Sequence, residues 1–169
     1  MRSRLLRLLP VATVLAVLAF PGSAAAGPGT TILVGPSCSL NEAVQAANTN
    51  TIVDNCPAGS STGSDTIDVP AGTYDLTAEL VVSSDMTIVG AGARSTDIRG
   101  FSLGSRLFRI SSGTVTIGGV TIQGGDETAG SGNNDAGVGG GIWIDHPASL
   151  TLQDSMVTGN SASTSGGGI

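Results

Sequence analysis

Lysine is absent from the whole chain, and seven arginines stand against 13 Asp and Glu, a formal net charge of −6. Three of those arginines, Arg2, Arg4 and Arg7, crowd the extreme N-terminus, so the rest of the chain is more acidic still. Such a surface repels nucleic acid and anionic lipid. It also repels polyanionic substrates such as pectate, unless calcium bridges the two. Aromatics are equally scarce. Beyond Phe20 there are only Tyr74, Phe101, Phe108 and Trp143. Trp143 reads as a core residue or a sugar-stacking platform, and one tryptophan is too few to argue for an aromatic carbohydrate groove. A single histidine, His146, and two cysteines fall short of the four ligands of a structural zinc site. After Phe20 no apolar run approaches the ~20 residues that a bilayer span requires.

What is present begins with a leader. A basic n-region is followed by an apolar run from Leu5 to Phe20, then Pro21-Gly22-Ser23 and the small residues Ala24-Ala25-Ala26. This order of charge, apolar run and small residues is that of a signal peptide, with cleavage expected after Ala26. The run is short for a membrane anchor. Residues 27–169 have the length of one domain. Their high glycine content suggests disorder, but many short Val/Ile/Leu/Thr runs argue for strands.

Cys38 and Cys56 can pair in only one way, and in an exported chain a disulfide is expected. They bracket the one convincing helix. Ser39 and Glu42 have the spacing of a capping box. Leu40, Ala43, Val44 and Ala47 recur at i, i+3, i+4 and i+7, and Asn48 to Asn50 end the periodicity. A short strand, Thr30 to Val34, precedes the helix.

From Asp65 the pattern changes to runs of three to five residues between Gly, Asn, Asp and Ser. Strands are expected at Thr66–Val69, Tyr74–Thr77, Leu80–Val82, Met86–Val89 and Leu107–Ile110. Further strands are expected at Val115–Ile117, Val120–Ile122, Gly141–Ile144, Leu150–Leu152 and Met156–Thr158. None leaves room for a crossover helix. Self-similarity separates a sandwich from a solenoid. Thr114–Gly125 aligns without gaps on Ser149–Asn160, 35 residues on, and Gly139–Ile142 recurs as Gly166–Ile169, 27 residues on. The difference falls in one loop, Asp126 to Val138 against Ser161 to Ser165. The expectation is an all-β fold, a right-handed parallel β-helix with an N-terminal capping helix. Its inward columns are expected to be Ile67/Ile88/Ile117/Leu152, Ile98/Ile122/Val157 and Ile110/Ile142/Ile169. Coils of such a solenoid stack at ~4.8 Å and bury an apolar face that no single coil can bury alone. The expected division is 1–26 leader, 27–64 strand and capping helix, and 65–169 coils. Because Ile169 falls inside a repeat, an incomplete solenoid with a truncated C-terminus is expected.

Cys38-Ser39-Leu40-Asn41-Glu42-Ala43 resembles, with Asn41 in place of Arg, the CSLREA motif of bacterial surface proteins that carry β-helix repeats. Asp65-Thr66-Ile67, Pro70-Ala71-Gly72-Thr73-Tyr74 and Leu76-Thr77 are similar to that group's DTI-x-x-PAGTY-x-LT segment. The LTL…GN…GGGI units are similar to the repeats of polymorphic outer-membrane proteins. The resemblance implies fold and secretion, to the extracellular space or a bacterial cell surface. It implies no catalytic residue.

Two constellations are candidates for chemistry. Ile142-Trp143-Ile144-Asp145-His146 is similar to a segment of pectate and pectin lyases, which share the pectin-lyase-like fold, so Asp145 and His146 form a candidate polar site. The repeat phase favours a plainer reading, a core position followed by a turn. Lyase chemistry also wants carboxylates for calcium and a basic residue for the proton, and no spaced Asp cluster is evident with an Arg on the same face. Asp126, Glu127 and Asp135 in the longest loop are candidate Ca²⁺ ligands. Their spacing matches neither an EF-hand nor the GGxGxDx repeat, which favours a solvated loop. Arg94, Arg99, Arg106 and Arg109 read as loop and outer-face residues balancing acids. The expected function is a secreted or cell-surface protein, non-enzymatic, serving adhesion, display or structure. The alternative is a polysaccharide lyase or hydrolase of the pectin-lyase-like fold. No cofactor is expected beyond Ca²⁺, and partners are expected among extracellular or cell-surface glycans and proteins, not nucleic acid.

Overall fold

A computed structural model describes residues 27–101, 103–127 and 137–169. The leader at 1–26 and the candidate ligand Asp135 lie outside the described residues. In chain order the first elements are β1 (Thr31–Leu33), α1 (Leu40–Thr49), β2 (Asp65–Val69), β3 (Gly72–Asp75) and β4 (Leu80–Val82). Then come β5 (Met86–Gly90), β6 (Thr96–Arg99), β7 (Phe108–Ile110), β8 (Thr114–Gly118) and β9 (Thr121–Gln123). The last are β10 (Asp126–Glu127), β11 (Ile142–Ile144), β12 (Ser149–Gln153), β13 (Met156–Thr158) and β14 (Ser161–Ala162).

The strands are too short to stand alone, and each finds its backbone partner one pass further along the chain. The first sheet has the order β1-β2-β5-β8-β12, the second β13-β9-β6-β3 and the third β11-β7-β4; β10 pairs with β14. Every ladder is parallel. From β2 onward the chain visits the first, second and third sheets in turn and then returns to the first, with β10 interposed between β9 and β11. Among the described residues the fold is therefore mostly strand, built of parallel sheets with one helix, and no sheet closes on itself.

Alternation decides what lies inside. Ile67, Ile88, Ile117 and Leu152 are register partners, as are Ile98, Ile122 and Val157. All but Leu152 and Val157 are fully buried. The 35-residue self-similarity is the register itself, with Ser149 beside Thr114 and Met156 beside Thr121. The two GGGI segments also pair: the amides of Gly139, Gly140, Gly141 and Ile142 donate to the carbonyls of Ser165, Gly166, Gly167 and Gly168 at 2.9–3.2 Å. Glycine is required here because backbones meet closely. A Cβ on Gly125 would fall on the Gly140 carbonyl oxygen, and one on Gly140 would fall on that of Ser161.

The third column differs from expectation. Ile142 pairs with Phe108, and Ile110 with Ile144. A strand's side chains repeat every two residues, so a two-residue shift keeps the same face inward and apolar alternation does not detect it. The strand expected at Tyr74–Thr77 begins earlier, at Gly72, where Tyr74 pairs with Ile98 and its hydroxyl donates to the Pro70 carbonyl at 2.9 Å. Strands β6, β10 and β14 were not expected. The last two have only two residues each and lie in stretches that read as loop.

Helix α1 has the expected capping box. The Ser39 amide donates to Glu42 Oε2 at 2.7 Å, and the Glu42 amide donates to Ser39 Oγ at 3.4 Å. The bond from the Ser39 amide, helped by hydrogen bonding with the side chains of Ser39 and Asp54, holds the Glu42 carboxyl below its ordinary pKa. Asn50 closes the helix in the left-handed conformation, φ 53°. The apolar face, Leu40, Ala43, Val44, Ala46 and Ala47, is buried. Asn48 then joins the helix to β4, the edge strand of the third sheet. Its amide donates to the Val81 carbonyl at 2.7 Å and its oxygen accepts from the Ser83 amide at 2.9 Å. A side chain thus supplies backbone partners that an open edge would otherwise offer to another chain. No helix among the described residues is long and apolar enough to cross a membrane.

Cys38 and Cys56 are bonded, with Cα atoms 4.9 Å apart, and tie the start of α1 to the loop that follows it. Replacing Cys38 by Ser is expected to lower unfolding free energy by roughly 2–5 kcal/mol. Denaturant unfolding of exported protein checks this. Two free thiols in fresh, undigested material would contradict the bond itself.

Candidate functional site

The third sheet carries the chain's densest polar chemistry. Val81, Arg109 and Trp143 are register partners on β4, β7 and β11. Val81 and Arg109 alternate with buried neighbours and so point outward, and Trp143 lies beside Arg109 in the same row. Asp145, just past β11, joins two of them. Its Oδ2 accepts from Arg109 Nε at 2.8 Å and its Oδ1 from Trp143 Nε1 at 2.7 Å. The Arg109 hydrogen bond holds the Asp145 carboxyl below the usual range against the opposing effect of burial, helped by the Trp143 bond and the charges of Arg109 and Arg106. With both oxygens engaged and its proton affinity lowered, Asp145 is a poor general base. His146 is exposed in the turn that follows, in line with the plainer reading of this segment.

Arg106 is a correction to its expected place on the outer face, because its side chain is 1% exposed. Glu127, also 1% exposed, meets it from β10. Glu127 Oε2 accepts from the Arg106 amide at 3.0 Å, while Oε1 lies 3.4 Å from Nη2. Glu79, just before β4, places Oε1 3.3 Å from Arg106 Nε. The guanidinium carbon lies 5.8 Å from the Trp143 ring centroid, within reach of a cation–π contact. Burial of a guanidinium is tolerable only with such partners. Arg–carboxylate contacts therefore exist where none were evident in the sequence: pairing between passes brings Glu79 and Glu127 to Arg106, and Asp145 to Arg109. No local spacing signals them.

Two of the three calcium candidates, Asp126 and Glu127, lie among the described residues. Glu127 is turned inward to Arg106, while Asp126 is exposed on the same short strand. Among the described residues no group of three or more His, Cys, Asp or Glu side chains is placed to hold a metal ion. Arg99 is an outer-face arginine, as expected. It donates to Asp75 through Nε at 2.9 Å and Nη2 at 3.1 Å, beside Phe101. Asp65, which carried no expectation, is buried and accepts from the Thr30 and Ser60 amides at 2.8 and 2.9 Å. It fastens the loop after α1 to β1 and β2.

No family model, curated protein or solved structure matches this chain.

Two outcomes follow from these contacts. Arg106→Met strands buried carboxylate and is expected to cost about 3–5 kcal/mol, whereas Arg106→Met/Glu127→Met is expected to cost far less. Chemical denaturation of both variants checks the contrast. For Asp145 the lowered pKa fixes the sign: its contribution to stability is present above the ordinary carboxylate pKa and is lost as pH falls through the lowered value. Trp143, the chain's one tryptophan, is expected to report that titration in its fluorescence below the usual carboxylate range. The transition should vanish in Asp145→Asn.

Proposed function

We propose that this chain is a secreted or cell-surface protein of bacterial origin. In this reading its parallel sheets are the sides of a right-handed parallel β-helix that serves adhesion, display or support rather than catalysis. The observation that carries the reading is the in-register pairing of successive passes. Strands 21 to 35 residues apart, such as Thr66 with Thr87 and Thr114 with Ser149, repeat one side chain above another. Right-handed crossover is the strong rule for parallel connections, and extended side faces suit binding and display. The resemblance to CSLREA-motif proteins agrees with this, and α1 covering β4 suits the role of a cap. Secretion is favoured by the disulfide, which forms and persists in oxidising compartments.

The reading against catalysis rests on Asp145, whose two oxygens are held by Arg109 and Trp143. A carboxylate so engaged binds neither calcium nor a substrate proton without first losing those bonds. Pectate, pectin and related uronic-acid polymers are expected to survive incubation with the exported protein, with or without calcium. Appearance of an ultraviolet-absorbing unsaturated product, abolished by Asp145→Asn or His146→Ala, would establish the lyase alternative instead.

A further inference from the structure

Helix α1 packs against β4 of the third sheet and leaves a groove of about 350 Å³ beside the contact. Its floor is apolar: Val44 and Leu80 are buried, and Val81 is 42% exposed. Its rim is a row of amides, Asn41, Gln45 and Asn48, spaced so that all three share one face of the helix. Asn48 is committed at both ends to Val81 and Ser83. Among the described residues no protein group hydrogen-bonds the side-chain amides of Asn41 or Gln45. Glu79 is the charged residue of the lining and is held from behind by Arg106.

We infer that this groove binds one or two residues of a neutral saccharide chain. The inference rests on the adhesion reading above and gives it a ligand class. A pyranose ring has a C–H face that suits the apolar floor and equatorial hydroxyls that both donate and accept. A primary amide also does both, so Asn41 and Gln45 satisfy such hydroxyls without a charge. The volume falls within the ~300–1,000 Å³ of small-molecule sites, and an apolar surface with few placed polar groups is their usual makeup. Charge selects among saccharides. The anionic Glu79 in an acidic chain repels uronates and sulfated glycans, and the lining residues include no cation to receive them.

The test titrates the full exported protein with cellohexaose, mannohexaose and chitohexaose by calorimetry, with polygalacturonate as the acidic comparator. At least one neutral hexasaccharide is expected to bind. Asn41→Ala/Gln45→Ala should weaken it about tenfold or more, as two lost hydrogen bonds imply. Val81→Arg, which fills the groove, should abolish it. Asn48 stays intact so that the helix keeps its attachment, and an unchanged melting temperature verifies the fold of each variant. Thr116→Ala on the first sheet should leave affinity unchanged. The groove is refuted if none of the three saccharides binds, if binding survives both groove variants, or if polygalacturonate displaces the neutral ligand. Reducing ends are assayed in the same mixtures. Cleavage would overturn the non-enzymatic reading but not the groove, whereas absence of both binding and cleavage removes the groove alone.

Discussion

A strand of three residues satisfies almost none of its own backbone groups, and everything else in this molecule depends on how those groups are paired. The solution is lateral. Each pass of the chain lays its N–H and C=O groups against those of the previous pass in parallel register, and no pass is complete without its neighbour. Buried polar backbone costs too much to be left unpaired. That single requirement explains the close backbone approaches at Gly125 and Gly140, where any side chain would separate passes that must touch. It also explains why the loops between sheets can differ in length while every ladder stays parallel.

Stacked passes leave open edges, and an exposed edge is a template for foreign strands. At β4 that edge is answered by one side chain. Asn48 offers its amide to a carbonyl and its oxygen to an amide, imitating the strand that is not there. The capping box and the disulfide keep α1 where this is possible, one by satisfying the first turn and the other by anchoring the residue before it. The three devices act on one object, the position of the helix over the sheet.

Much of this was legible because repetition is visible in sequence. The ungapped alignment of Thr114–Gly125 on Ser149–Asn160 is the hydrogen-bond register of two ladders. The helix was legible from Ser39, Glu42 and the spacing of its apolar residues. The third column was misread by two residues, since Ile110 and Ile142 are interchangeable to a pattern of period two. What separates the registers is polar and non-local: Arg109 meets Asp145 when Ile142 lies beside Phe108. The inward turn of Arg106 was hidden for the same reason. Its partners are Glu79 and Glu127, 27 positions before it and 21 after it, and arginine in a glycine-rich stretch reads as solvated until the passes are stacked.

The distribution of chemistry over the sheets is uneven, and the unevenness has a cause. On the first sheet one outward file is threonine on all five strands, Thr31, Thr66, Thr87, Thr116 and Thr151. Such a file is what β-propensity alone would select, since a β-branched side chain packs well on a pleated surface. The corresponding row on the third sheet is Val81, Arg109 and Trp143, unlike in size and charge. It borders α1 and the short β10–β14 ladder, and its residues have partners outside their own sheet: Asp145 for Arg109, Arg106 for Trp143, Asn48 for the backbone of Val81. Sameness along a file reflects a surface that answers only to its own ladder. Departure from sameness marks where a second element leans on the sheet. The side chains of α1 and β4 do not fill all the space between them, so the contact that shields β4 is also the one that leaves a groove beside it.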